Sequence, residues 1–125
     1  MTLTLAASDR SVRILAPTTT TKLATRMLAA SAVIGKHIPI TLLSSVSLEI
    51  LLALHVAEED ACYPRAGELA PPGSIAPAVT QRWIRELVRV GLVERRGDLL
   101  ALSDEGYVMV TALLTEVFEA QRSLD

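Results

Sequence analysis

The 125-residue chain is half apolar and 21% charged, with 3% aromatic residues, one cysteine and a formal charge of -2. That length holds one compact domain and not two. The lone Cys62 makes neither an internal disulfide nor a Cys-x-x-Cys clip, which excludes a secreted disulfide scaffold and a zinc finger and points to a reducing, cytoplasmic setting.

In chain order, residues 1–17 read as an N-terminal arm, in which Leu3 and Leu5 alternate and Arg10 to Leu15 follow, the pattern of either a short strand or an ordered extension. This terminus lacks the continuous apolar centre and small-residue cleavage site of a secretory signal, and its basic bias leaves an organellar transit peptide as the alternative. Pro17 reads as a stop, and Thr18 to Thr21 supply N-caps for a first helix from about Thr20 to about His37. Along it Leu23, Met27, Ala30, Ile34 and Ile38 recur at helical spacing, while Ala24, Leu28, Ala32 and Val33 make it apolar on more than one face. Such a helix is expected to pack on more than one neighbour, and Pro39 ends it.

A second helix starts from Ser45 or Ser47 as N-cap, buries Leu48, Leu51, Leu52, Leu54 and Val56, and runs to the acidic stop Glu58-Glu59-Asp60. It is the best candidate for a membrane span, but Leu48 to Ala57 is too short and carries Glu49 and His55, whereas a span needs roughly 18 uncharged apolar residues. No membrane partner is expected. After Tyr63-Pro64, the segment Arg65 to Ala70 suffices for about two turns of helix before Pro71-Pro72-Gly73 breaks it.

Ser74, or the residues up to Pro77, open a longer helix that Gly91 closes. Its inner face carries Val79, Trp83, Ile84, Leu87 and Val90; its outer face carries Ala78, Gln81, Arg82, Arg85 and Arg89. Next, Leu92 to Arg95 and Leu99 to Leu102 read as two short strands joined through Arg96-Gly97-Asp98. Ser103 caps a final helix whose first turn is acidic, as the helix dipole favours. There Tyr107, Val110, Leu114, Val117 and Leu124 repeat at heptad-like spacing beside Leu113 and Phe118, a stripe too wide for one small domain to cover, so a partner helix is expected. With so few aromatics, the aliphatic surplus is likewise read as surface buried against a second copy.

Charge is uneven along this order. Residues 1–48 carry five Lys or Arg against one acid, and the remainder is acidic, with seven bases against thirteen acids. Within residues 74–97, however, Arg82, Arg85, Arg89, Arg95 and Arg96 face only Glu86 and Glu94. A basic island on an acidic chain suits a phosphate-facing site; its plainer reading is a solvated helix face.

Helix, short helix, Pro/Gly turn, basic helix and hairpin are the order of a winged helix-turn-helix. The fold expected is therefore mainly α with a small β-hairpin wing, a single domain over residues 18–125. Dimerisation helices at 18–38 and 104–125 flank a DNA-binding core at 45–103. This helix would place Ser74, Ala78, Gln81, Arg82, Arg85 and Arg89 toward the major groove of duplex DNA, which is wide enough to admit a helix. Arg95 and Arg96 would meet the backbone or the adjacent minor groove.

Over Ala76 to Gly106 the residues Arg82, Ile84, Leu87, Gly91-Leu92-Val93-Glu94-Arg95 and Leu102-Ser103-Asp104-Glu105-Gly106 are similar to a known pattern. It is the leucine, glycine-leucine-valine-arginine and leucine-threonine-x-x-glycine pattern of the multiple-antibiotic-resistance regulator (MarR) family of bacterial transcription factors. The resemblance implies a homodimer whose first and last helices pack together, with Leu23, Met27, Ile34, Val110, Leu114 and Val117 at the interface. It also implies recognition helices in successive major grooves, with half-sites about one helical turn, some 10 base pairs, apart. A small-molecule effector, unnamed by the sequence, would bind where the first, second and last helices meet. The chain departs from the pattern at several positions: Asp98 is followed by Leu99-Leu100 with no arginine, Thr80 stands where an aliphatic anchor is common, and Trp83 is larger than usual. Pro71, Pro72 and Pro77 are also atypical of the turn.

The remaining candidates for chemistry read as structural. His37 and His55 lie on different helices without a second ligand at i+3 or i+4, so no metal site is expected. Cys62 is read as buried or inert, Trp83 as a core anchor, and Glu58-Glu59-Asp60 as a solvated helix end. No nucleophile with a base partner and no Gly-rich phosphate loop can be assembled, so neither enzymatic activity nor a cofactor is expected. A repressor is the favoured reading. Its rivals are a winged-helix protein-interaction module that has lost DNA binding, and a replication or partition accessory of a plasmid or phage.

Overall fold

The computed structural model describes residues 15–69 and 77–124. Helices α1 (Leu15–His37), α2 (Ser45–Glu59), α3 (Pro77–Arg89) and α4 (Asp104–Ser123) accompany the strands β1 (Val93–Arg96) and β2 (Leu99–Leu102), with 3-10 turns at Ile40–Leu42 and Ala66–Glu68. The fold is thus mainly helical with one small antiparallel hairpin, the coarse architecture that the sequence pattern predicts.

Helix α1 takes in Pro17 and the threonine run instead of starting near Thr20. Within a first turn the backbone N–H groups have no intrahelical acceptor, so a proline there removes nothing, and Pro17 neither stops the chain nor leaves the threonines as caps. Of the expected N-terminal arm, residues 15–17 belong to this helix and residues 1–14 lie outside the described residues. Lys36 places positive charge at the helix's negative end, with His37 beside it.

The α2 N-cap is Ser44 and not Ser45 or Ser47. Ser44 Oγ accepts the Ser47 N–H at 2.9 Å, while Ser47 Oγ accepts the Ser44 N–H at 3.0 Å, a reciprocal capping box. The Ser47 hydroxyl is fully buried and donates to the Leu42 carbonyl at 2.5 Å, which ties the helix start to the preceding 3-10 turn. One apolar cluster unites Ile38 and Leu42 with Leu51 and Leu54 of α2, Ile84 and Leu87 of α3, Leu100 and Leu102 of β2, and Val110 and Leu113 of α4.

In the hairpin, Val93 pairs with Leu102 and Arg96 with Leu99, so Arg96 ends a strand and only Gly97-Asp98 form the turn. Gly97 has φ +67, a conformation that favours glycine. The segment before α3 adds an edge to this sheet: the Leu100 N–H donates to the Pro64 carbonyl at 2.9 Å, and Arg65 bridges Leu99 in antiparallel sense. Because Arg65 is extended, the expected two-turn helix shrinks to the single 3-10 turn Ala66–Glu68.

Helix α4 lies along α1. Gln121 Nε2 donates to the Arg26 carbonyl at 2.9 Å, and Glu116 accepts from both Lys36 and His37, the latter at 2.8 Å. This pairing bears on one residue of the expected dimer interface, Val110. Val110 is 1% exposed and belongs to the chain's own core, and Leu114, Val117 and Ile34 are partly buried against it, while Leu124 at the end of the heptad-like stripe stays 39% exposed. Leu23 and Met27 remain exposed, as do Leu28 and Phe118. No helix among the described residues is long and apolar enough to cross a membrane.

Candidate nucleic-acid interface

Helix α3 is the most sharply two-sided element of the chain. Pro77 occupies its first position, where the fixed φ suits a helix start. Thr80, Ile84 and Leu87 are buried, and Val79, Trp83 and Val90 pack partly against the core. Thr80, which reads as a polar interruption, therefore stands on the inner face, at 4% exposure. On the opposite side Ala78, Arg82, Arg85 and Arg89 are exposed. Gln81 is only half exposed, because its Nε2 donates to the Ala66 carbonyl at 3.2 Å and fastens the 3-10 turn onto α3. Ser74, expected at the same surface, lies outside the described residues.

The arginines of the basic island divide into two groups. Arg89 Nε donates to Glu86 Oε1 at 3.1 Å, with a second link through Nη2. This bond holds the Glu86 carboxyl below its ordinary value and pushes the Arg89 guanidinium up. Arg96 directs Nε and Nη2 at Glu94 Oε1, at 2.9 and 2.6 Å, and its guanidinium lies 5.6 Å from the centre of the Tyr63 ring. Tyr63 in turn donates its hydroxyl to Glu58 Oε2 at 2.8 Å, and that hydrogen bond, first among its causes, raises the phenol. By contrast, Arg82, Arg85 and Arg95 are exposed and enter no ion pair among the described residues.

Arg65 is a further exposed cation that the sequence reading passes over. Its backbone bridges Leu99 of β2, and the carbonyl of the next residue, Ala66, receives the Gln81 bond from α3. Arg65 thus stands at the joint between the basic helix and the hairpin. The pairing that puts it there joins residues far apart in sequence, so no local periodicity announces it; Pro64 favours extended backbone only at Tyr63, the residue before it.

The other candidates sort as follows. His37 bonds Glu116, and His55 stacks on Tyr107 with ring centres 5.6 Å apart. Cys62 is exposed, so of the reading that it is buried or inert the burial is corrected. Glu58 and Glu59 are not merely solvated, since they accept the Tyr63 and Tyr107 hydroxyls at 2.8 and 3.3 Å. Among the described residues no group of three His, Cys, Asp or Glu side chains is placed to hold a metal ion. Beside the α1 terminus a groove of about 590 Å³ is lined by His37, Leu42, Glu86, Arg89, Val90 and Met109, so it adjoins α1, α3 and α4, with α3 in the place expected for α2.

Compared with protein-family models, curated proteins and solved structures, the chain matches none of them.

Proposed function

We propose that this chain is a winged helix-turn-helix regulator of transcription that binds duplex DNA in a sequence-specific manner, as a homodimer, and represses by occupying a promoter. One observation carries the reading. The exposed side of α3 presents Arg82 and Arg85 free of carboxylate partners among the described residues, while its other side is locked into the core by Thr80, Ile84 and Leu87. A rigid helix with unneutralised guanidinium groups on one face suits base edges and phosphates in a major groove. The following hairpin carries Arg95 at its exposed end, as a wing would.

Dimerisation falls to the apolar side chains that the chain leaves uncovered, Leu23, Met27 and Leu28 of α1 and Phe118 of α4. An effector would fit the groove beside Arg89, where it would touch α3 directly and bias its orientation. The chain acts without a cofactor, in the cytoplasm, and not as an enzyme.

A second reading, a winged-helix module for protein partners, is favoured by one feature: Glu86 and Glu94 neutralise Arg89 and Arg96 and so weaken the basic face. Fluorescence anisotropy separates the two. The protein is titrated against the DNA immediately upstream of its own gene and against a scrambled duplex, at two salt concentrations. Preferential binding that falls steeply with salt supports the regulator; no binding to either duplex at low salt supports the protein-interaction module.

A further inference from the structure

The hairpin carries two adjacent arginines, and the antiparallel register sends them to opposite faces. Glu94 stands opposite Ala101 and Arg96 opposite Leu99 on one face, whereas Val93 and Arg95 oppose Leu102 and Leu100 on the other. Leu99 also bridges Arg65, so the Tyr63–Arg65 segment extends the Arg96 face by one more edge. Across that face the Arg96 guanidinium is engaged twice: its donors meet Glu94, and its Cζ lies over the Tyr63 ring at 5.6 Å from the centre, a ring itself anchored to Glu58 of α2. The chain of contacts runs from β1 to α2 without touching the exposed surface of α3. Arg95 has none of these attachments among the described residues and is exposed.

We propose that Arg96 is a positioning residue, which fixes the hairpin against α2 through Tyr63, and that Arg95 alone is the phosphate-contacting cation of the hairpin. The proposal rests on the DNA-binding reading above and divides the labour within it. For Arg96 to reach a phosphate it must leave both the Glu94 oxygen that takes two of its N–H groups and the Tyr63 ring, and a lysine does not reproduce that pair of contacts, because an ammonium has no planar fork to share between them.

The test is a salt titration of DNA affinity for the parent, Arg95→Ala, Arg96→Ala, Arg96→Lys, Tyr63→Ala and the Arg96→Ala/Tyr63→Ala double variant. Arg95→Ala is expected to reduce the salt slope by about one, the mark of one lost phosphate contact. Arg96→Ala is expected to keep the parent slope and weaken binding roughly two- to fivefold at every salt concentration, the scale of an exposed ion pair. Arg96→Lys behaves like Arg96→Ala, and the double variant is no weaker than the single ones. If Arg96→Ala lowers the slope as Arg95→Ala does and lysine restores it, or if it leaves both slope and affinity unchanged, the proposal is overturned. A parent without salt-dependent duplex binding overturns the DNA-binding reading itself. Hydrogen exchange at the Leu100 amide, which is bonded to the Pro64 carbonyl, reads the docking without DNA. Arg96→Ala and Tyr63→Ala are expected to speed it and Arg95→Ala to leave it unchanged, and equal rates in all three overturn the positioning role.

Discussion

Gly106 lies so close to Leu92 that a β-carbon on it would overlap the Leu92 carbonyl oxygen and come within 2.9 Å of the carbonyl carbon. The same carbonyl accepts the Ser103 N–H at 3.0 Å, and Ser103 Oγ accepts the Gly106 N–H at 3.0 Å while donating to the Gly91 carbonyl. The first turn of α4 is thereby clamped to the residues that lead into β1. Gly106→Ala must push backbone from backbone, and it is expected to destabilise the fold by about 1–3 kcal/mol or more. Chemical denaturation checks this; an unchanged midpoint would show that α4 slides away at no cost.

The division of the arginines on α3 gives a graded prediction. Arg82→Ala and Arg85→Ala are each expected to weaken DNA binding by about 1–3 kcal/mol without loss of thermal stability, since both side chains are exposed and carry no internal partner among the described residues. Arg89→Ala should cost less, because the Arg89 guanidinium is already engaged by Glu86 and would have to leave that ion pair to reach a phosphate. Anisotropy titrations of the three variants decide the order. A larger loss at Arg89 than at Arg82 would mean that the helix meets DNA by its last turn.

How far the fold could be read in advance depended on whether its cause was local. The hairpin was legible because glycine at 97 and alternating apolar residues are local signals, and the α4 start because Ser103 and the acids after it are adjacent. The α2 cap is not legible to the residue, because serines at 44, 45 and 47 offer several caps and only the approach of Leu42 to Ser47 selects Ser44. The stripe through Val110 is legible as apolar, but periodicity states that a face is buried and is silent on whether α1 of the same chain or a second copy buries it. At the candidate site, the spacing of Arg82, Arg85 and Arg89 showed a shared face, yet which of them is neutralised depends on the Glu86 rotamer, and the ring beside Arg96 comes from a segment more than thirty positions away.

The uncovered part of α1 yields a prediction about assembly. Met27 is 72% exposed and Leu23 lies one turn before it. If these residues form the dimer contact, Met27→Glu should shift the protein to monomer in light scattering at low micromolar concentration and leave its unfolding midpoint, extrapolated to low concentration, unchanged. Leu113→Ala should do the reverse, because Leu113 is buried in the chain's own core: a loss of about 2–5 kcal/mol in stability whatever the assembly. A Met27→Glu protein that keeps the parent's mass would place the interface elsewhere.

The clasp between α1 and α4 predicts an acid limb in the stability curve. Glu116 accepts from Lys36 and from His37, and these bonds hold its carboxyl below the ordinary glutamate value of 4.5. A carboxylate lowered in the folded state binds fewer protons there than in the unfolded chain, so its contribution is complete above the ordinary value and is lost as the pH falls through the lowered one. Stability should therefore drop below about pH 4.5 in the parent, and Glu116→Gln should flatten that part of the curve while costing stability at neutral pH. Because Lys36 and Glu116 reach solvent, the difference should shrink at 1 M salt, where charges on the surface are screened within about 3 Å. Glu86→Gln serves as the comparison: its carboxyl is lowered too, but by Arg89 one turn away on the same helix, so it steadies α3 without joining two helices. Denaturation midpoints from pH 3 to 7 for the parent and both variants test the assignment, and identical acid limbs for parent and Glu116→Gln would show that the clasp does not contribute to holding α4 on α1.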